Sequence, residues 1–416
     1  MKALLYGVRP DPDELARADE ETNPLLRGLA RVPMRYTDID DARPLFEDWL
    51  VVKPRLTGIC GSDAKQIYDD FGIDGAESPT AGFFSLPQVL GHEVVGDVVA
   101  VGDAVRRVHV GQRVVLDPWL GCRPRGISPI CPSCANGDHP LCDNFANGRL
   151  SPGIHTGTCK EATGGYAEAL PAHETMVHVV PDGVDDAVAV LADPFSVSMH
   201  AITRNPPRPG GRALVYGAGA LGSLAVAVLR ALYPDVEIGV VARHPAQAEL
   251  VRRLGAAFVA EPEPRLELIE AIADWSGGRM VPAAPKALPM AWPGGVDVVY
   301  DTIGKGETFE VGTRVLRSRG TLVQLGMHGP SRWESTPVFS KELVLVGSNA
   351  FGMETVDGRR AHAMQHFLQL AAAGQLDVDG VVTHHFALAD WREAFRTLAL
   401  QGETGAVKVT FDFRGQ

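Results

Sequence analysis

No block of like charge runs through this sequence, no apolar stretch approaches the length of a bilayer span, and there are only six cysteines. Lys and Arg total 39 against 51 Asp and Glu, a formal charge of -12 spread along the chain. A nucleic-acid groove or an anionic-membrane patch needs clustered cations, so neither partner is expected. A spanning helix needs ~20 apolar residues, and none are present in a row. The opening stretch MKALLYGVRPDPDE has a single lysine and an apolar run too short for a secretory signal, which makes a soluble cytoplasmic protein the expectation. Internal repeats and low-complexity tracts are also missing. What is present is 416 residues, 45% of them hydrophobic, enough for a large core divided among two or three domains.

Four of the six cysteines fall within one stretch, GCRPRGISPICPSCANGDHPLC, residues 121–142. Cys131 and Cys134 flank two residues, so both sulfurs can turn toward one point. Cys122 and Cys142, on either side, complete the tetrahedron that Zn²⁺ prefers. Four thiolates leave no open position, so such a site is structural. Disulfides or unligated thiols are the alternatives, less favoured in a reducing compartment. Cys159 lies outside the spacing and reads as an ordinary thiol.

A different set is scattered. TGICGSD (57–63) presents Cys60 after a short strand, LGHEVVGDVVAVG (90–102) places His92 and Glu93 in a turn before another, and LADPFSVSMHA (191–201) holds Asp193 before a Pro and a helix. One Cys, one His and one carboxylate brought together would be a three-ligand zinc site with its fourth position open, the catalytic arrangement. Thiolate and carboxylate would offset the metal's charge and leave it able to activate an alcohol. Ser62, two residues from Cys60, is the candidate to relay the alcohol proton.

The motif around His92 and Glu93, with Gly91, Gly96, Gly102 and Val105 at their spacings, resembles the signature of the zinc-dependent medium-chain alcohol dehydrogenases. The resemblance implies that Cys60, His92 and Asp193 ligate a catalytic zinc, with Glu93 an adjacent carboxylate able to approach it. It also implies a structural zinc on Cys122, Cys131, Cys134 and Cys142. Two departures stand out. RPRGIS separates Cys122 from Cys131 by eight residues where two are usual, and Lys65 stands where many relatives carry the His that passes the proton outward.

ALVYGAGALGSLAVAVLRAL (213–232) reads as a strand, the turn Gly217-Ala218-Gly219-Ala220-Leu221-Gly222, and a helix. With a second strand, VEIGVVA, at the expected distance, this is a dinucleotide fingerprint whose helix amides face the pyrophosphate. An NAD enzyme would place an acid at the end of the second strand. Ala242 occupies that place, followed by Arg243 and His244. Arg accepts a 2′-phosphate that an acid would repel, so NADP(H) is the expected cofactor, with NAD(H) as the second possibility.

The fold expected is α/β. A GroES-like β-barrel catalytic domain with the cysteine lobe covers 1–196, a doubly wound Rossmann domain 197–346, and a tail, 347–416, returns to the first domain. Three stretches do not fit the family: 9–34, FGIDGAESPTAGFFS (71–85), and GRMVPAAPKALPMAWPGG (278–295), the last read as an irregular loop. The function expected is a zinc-dependent alcohol dehydrogenase or carbonyl reductase acting on a small molecule, in a dimer or tetramer. The alternatives are a dehydrogenase of polyols, sugars or amino alcohols and, ranked low, a non-catalytic NADPH-binding zinc protein.

Overall fold

In the computed structural model, which describes residues 1–69, 82–281, 287–327 and 331–415, the chain divides into two compact units. Unit 1 takes 1–194, 361–373 and 382–416; unit 2 takes 195–360 and 374–381. The unit boundaries thus fall at 194 and 360, against the expected 196 and 346, and the 374–381 stretch counts with unit 2. Most of the 71–85 stretch lies outside the described residues.

Unit 1 is built on a seven-stranded sheet. Its order runs Val382–Phe386, Lys408–Asp412, Trp49–Gly58, Glu93–Val101, Arg113–Leu116 and Val177–Val179, with Leu170–His173 also paired to the long 49–58 strand. All neighbours are antiparallel except the first two. The long strand has its apolar residues buried on both faces, so it carries the core of the sheet.

The 9–34 stretch, which the family pattern does not explain, forms two short helices, Pro12–Arg17 and Pro24–Arg31. Each opens with an Asx cap and a Pro in the first turn; Asn23 Oδ1 accepts from the amides of Leu25 (2.9 Å) and Leu26 (3.5 Å). Leu26 and Leu29 then enter a buried cluster with Tyr68, Trp391, Phe395 and Phe411, so this insertion is core, not decoration.

Unit 2 holds a six-stranded, wholly parallel sheet in the order Phe258–Ala260, Glu237–Val241, Arg212–Tyr216, Val296–Asp301, Leu316–Gln324, Val344–Gly347. Numbered along the chain this is 3-2-1-4-5-6, the dinucleotide-binding order; the alternating pattern led to the expectation of a doubly wound parallel sheet. The 278–295 stretch is not wholly irregular: Met280–Val281 pairs antiparallel with Met290–Ala291, closing it into a short ladder whose 282–286 lie outside the described residues. A hairpin of Met353–Val356 and Arg359–His362 was not foreseen. Among the described residues, no helix is long and apolar enough to cross a membrane.

Candidate active site and metal centres

Cys60 caps helix Gly61–Tyr68 and receives a hydrogen bond from Ser62 Oγ at 3.2 Å. His92 precedes strand Glu93–Val101 and is buried. Its Nδ1 makes no hydrogen bond among the described residues and lies 3.5 Å from Asp63 Oδ1, while Asp63 Oδ2 accepts from the Tyr166 hydroxyl at 2.8 Å. Burial would lower the His92 pKa, but the Asp63 carboxylate and the Cys60 thiol outweigh it and hold the imidazole well above its usual value. Cys60 and His92 are therefore neighbours, with Asp63 fixing the ring from behind, as a carboxylate does for a ligating His.

Asp193 sits in the first turn of helix Ala192–Arg204, inside the helix where the sequence placed it just ahead. Burial pushes its carboxyl up to about 7, against the pull of His92. Glu93, fully buried, is spoken for: Lys408 Nζ donates to its two oxygens at 2.7 and 2.6 Å and to the Ile59 carbonyl at 3.0 Å. Gly58 makes room for this pair, since a Cβ there would collide with the Glu93 carboxylate. Burial opposes the charge on Lys408, yet Glu93 and Cys60 keep its pKa raised. His155 packs its ring 4.7 Å from His92 and 5.3 Å from Trp119, and burial lowers it to about 4.

With Asp63 on Nδ1, the other His92 nitrogen, the Cys60 thiol beside it and the buried Asp193 carboxyl fit a divalent cation in their donor chemistry. The set is more open than the two groups of described residues whose ligand atoms all lie within 4.8 Å of one another: the four cysteines, and Asp117 with His178 and His362. Sequence reasoning missed Asp63, Tyr166, His155 and Lys408. Lys408 carried no signal: in KVTFD it alternates with the apolar Val409 and Phe411, the pattern of an outward residue, yet it is buried.

In the cysteine lobe all four thiols are buried and free. The Sγ of Cys122 lies 3.7 Å from that of Cys142, and Cys131 Sγ lies 4.0 Å from it. A Zn–S bond of ~2.3 Å sets sulfurs ~3.8 Å apart in a tetrahedron. Backbone amides of Cys122, Cys131, Cys134 and Asn144 donate to the sulfurs at 3.3–3.5 Å. Hydrogen bonding from Cys134 brings Cys142 down to about 5. Cys122 stands in this cluster despite its distant spacing because the intervening insertion is itself anchored. Arg125, fully buried, donates to the carbonyls of Leu120, Asn147, Leu150, Ser151 and Gly153.

In unit 2, strand Arg212–Tyr216 ends at Gly217, whose φ of +104° suits only glycine. Gly219 caps helix Ala220–Leu232, with Leu221 in its first turn, and a Cβ on Gly222 would collide with the Gly217 carbonyl. The adjacent strand ends beside it, Val241 opposite Tyr216, followed by buried Ala242, exposed Arg243 and half-buried His244. No carboxylate is paired with Arg243 among the described residues. Burial, and then Arg243, keep His244 below its usual pKa.

Residues 47–182 match the family model described as alcohol dehydrogenase GroES-like domain, and residues 220–373 match that of the zinc-binding dehydrogenases. The protein named "Probable D-xylulose reductase A" from Arthroderma otae is 31% identical over 91% of this chain and 94% of its own. The chain belongs to the zinc-dependent medium-chain alcohol dehydrogenase family. This dehydrogenase is therefore an oxidoreductase acting on CH–OH, with zinc and a nicotinamide dinucleotide as its cofactors. It is also similar to the L-galactonate-5-dehydrogenase of Escherichia coli, at 28% identity over 83% of this chain and 86% of that one. The sorbitol dehydrogenase of Halalkalibacterium halodurans is 24% identical over 86% and 90%. Its fold is shared with galactitol-1-phosphate dehydrogenase from Escherichia coli, at TM-score 0.72, 18% identity, and coverage of 99% of this chain and 100% of that one.

Proposed function

We propose that this dehydrogenase interconverts a secondary hydroxyl of a polyol or sugar and the corresponding ketone, with preference for NADP(H). The observation that supports the site assignment is the buried His92 beside Cys60, held from Nδ1 by Asp63, with the buried Asp193 carboxyl close enough to feel its charge. The substrate class rests on the relatives: a xylulose reductase, a galactonate dehydrogenase and a sorbitol dehydrogenase support a hydroxyl-rich substrate over the simple alcohol expected first.

Cys60, His92 and Asp193 would hold the catalytic zinc, and when bound the ion supplies Lewis-acid polarisation of the substrate oxygen. The chain's own residues do the rest. Asp63 orients His92. Lys408 holds Glu93 in the adjacent position through hydrogen bonds to both of its oxygens. Ser62, within hydrogen-bonding distance of Cys60, would accept the substrate hydroxyl proton, and the nicotinamide, when bound, would supply the hydride acceptor. Lys65, one turn along the same helix, a ribose hydroxyl or water passes that proton on. Ala242 and Arg243 support NADP(H): Ala242 stands where an NAD enzyme would carry the acid that repels a 2′-phosphate, and Arg243 follows it.

We further read the active form as a homo-oligomer. Strand Val344–Gly347 is an outer strand of the parallel sheet with Val344 and Leu345 exposed, and Phe339 nearby in sequence is 88% exposed. An apolar outer strand of this kind suits pairing with a second copy.

The test is nicotinamide absorbance with a panel of polyols, ketoses, simple alcohols and aldehydes, each with both cofactors. Polyol turnover favouring the phosphorylated cofactor supports the reading; best turnover of a simple alcohol returns it to the first expectation. Cys60→Ala should abolish turnover while NADPH binding persists, and retained turnover removes the site assignment.

A further inference from the structure

Strand Arg113–Leu116 pairs antiparallel with Val177–Val179, Val115 opposite His178 and Leu116 opposite Val177. The Asp117 amide then donates to the Met176 carbonyl at 2.7 Å, carrying the register one residue further. Asp117 lies two residues from Val115 and so shares a face with His178, its diagonal neighbour. A third residue arrives from far along the chain: His362 ends strand Arg359–His362 and caps helix Ala363–Ala372. Its Nε2 is 3.4 Å from Asp117 Oδ2, its ring stacks on that of His178 at 4.7 Å, and the ligand atoms of all three lie within 4.8 Å of one another. All three belong to unit 1.

The chemistry is that of a cation site. His178 Nε2 is buried with no hydrogen-bond partner among the described residues. An imidazole in its neutral form has a lone pair to give a metal. Metal bonds of ~2.0–2.2 Å to N and O hold ligand atoms ~3.3–3.6 Å apart in a tetrahedron, the separation His362 and Asp117 already have; side-chain rotation closes the rest. His139 Nδ1, 3.6 Å from the same Asp117 oxygen, stands where it can orient the carboxylate.

We propose that Asp117, His178 and His362 form an additional divalent-metal site for a borderline ion such as Zn²⁺ or Co²⁺, separate from the four cysteines and from Cys60, His92 and Asp193. It ties the paired strands 113–116 and 177–179 to the start of helix 363–372.

The test compares metal content per chain, by mass spectrometry after Zn²⁺ loading and exhaustive dialysis, in full-length wild type and in a His178→Asn, His362→Gln double variant. The expected result is a loss of about one ion per chain in the variant, with circular dichroism unchanged. Equal content in the two proteins overturns the proposal, and does so whatever the occupancy at Cys60. If the double variant does not fold, Co²⁺ loading of a Cys60→Ala, His92→Ala, Asp193→Ala variant, which lacks all three ligands of the candidate active site, decides. Visible bands without sulfur-to-cobalt charge transfer, beyond those of the four-cysteine site, support the proposal, and a pure tetrathiolate spectrum overturns it.

Discussion

A single buried cation carries much of the local order around the candidate active site. Lys408 and Glu93 are 3% and 1% exposed, so truncating either leaves the other charge buried without a partner. Lys408→Met should destabilise the protein by ~3–5 kcal/mol in chemical denaturation, and adding Glu93→Gln should recover a large part of that loss. Full wild-type stability in Lys408→Met would show the pair to be energetically idle. Arg243 is a converse case, exposed and without a paired carboxylate among the described residues, so its replacement should leave stability unchanged. Arg243→Glu should lower the ratio of kcat/KM for NADPH over NADH by about tenfold or more, the value of one charge-assisted contact. An unchanged ratio would remove the phosphate assignment. These two residues differ in legibility for the same reason. Arg243 is read from a motif that is local in sequence, whereas the partner of Glu93 is brought from the last strand of the chain.

At the scale of elements, the cysteine lobe shows how an insertion survives. RPRGIS lengthens the loop between Cys122 and Cys131, and Arg125 within it answers carbonyls on the far side of the lobe. The spacing rule that made Cys122 seem the odd ligand is a rule about short loops, and a buried guanidinium replaces shortness with anchoring. Cys142→Ser should lower zinc content by about one ion per chain and lower the thermal midpoint by several degrees, leaving NADPH binding intact. Undiminished zinc would mean that the thiols are not ligands. The helices of 9–34 make the related point for apolar residues: their caps are readable in Asn23-Pro24, but that Leu26 and Leu29 meet Trp391 and Phe395 is a matter of long-range packing.

For the whole molecule, the exposed strand 344–347 leads to a prediction about assembly. Phe339→Ser with Leu345→Lys should shift sedimentation toward the monomer while the wild type remains associated; a monomeric wild type would remove the reading. The sequence by itself determined the features in which neighbours along the chain do the physical work: the glycine turn between strand and helix, the C-x₂-C knuckle, the alternation that builds a parallel sheet, and the Gly-His-Glu turn. Tertiary structure alone decided which distant groups meet. It placed Asp63 behind His92, Lys408 on Glu93, and His362 beside Asp117 and His178. Such pairings have no spacing rule, because they are set by strand register and by burial, which makes each unpaired charge or donor costly enough to require a partner from wherever the fold supplies one.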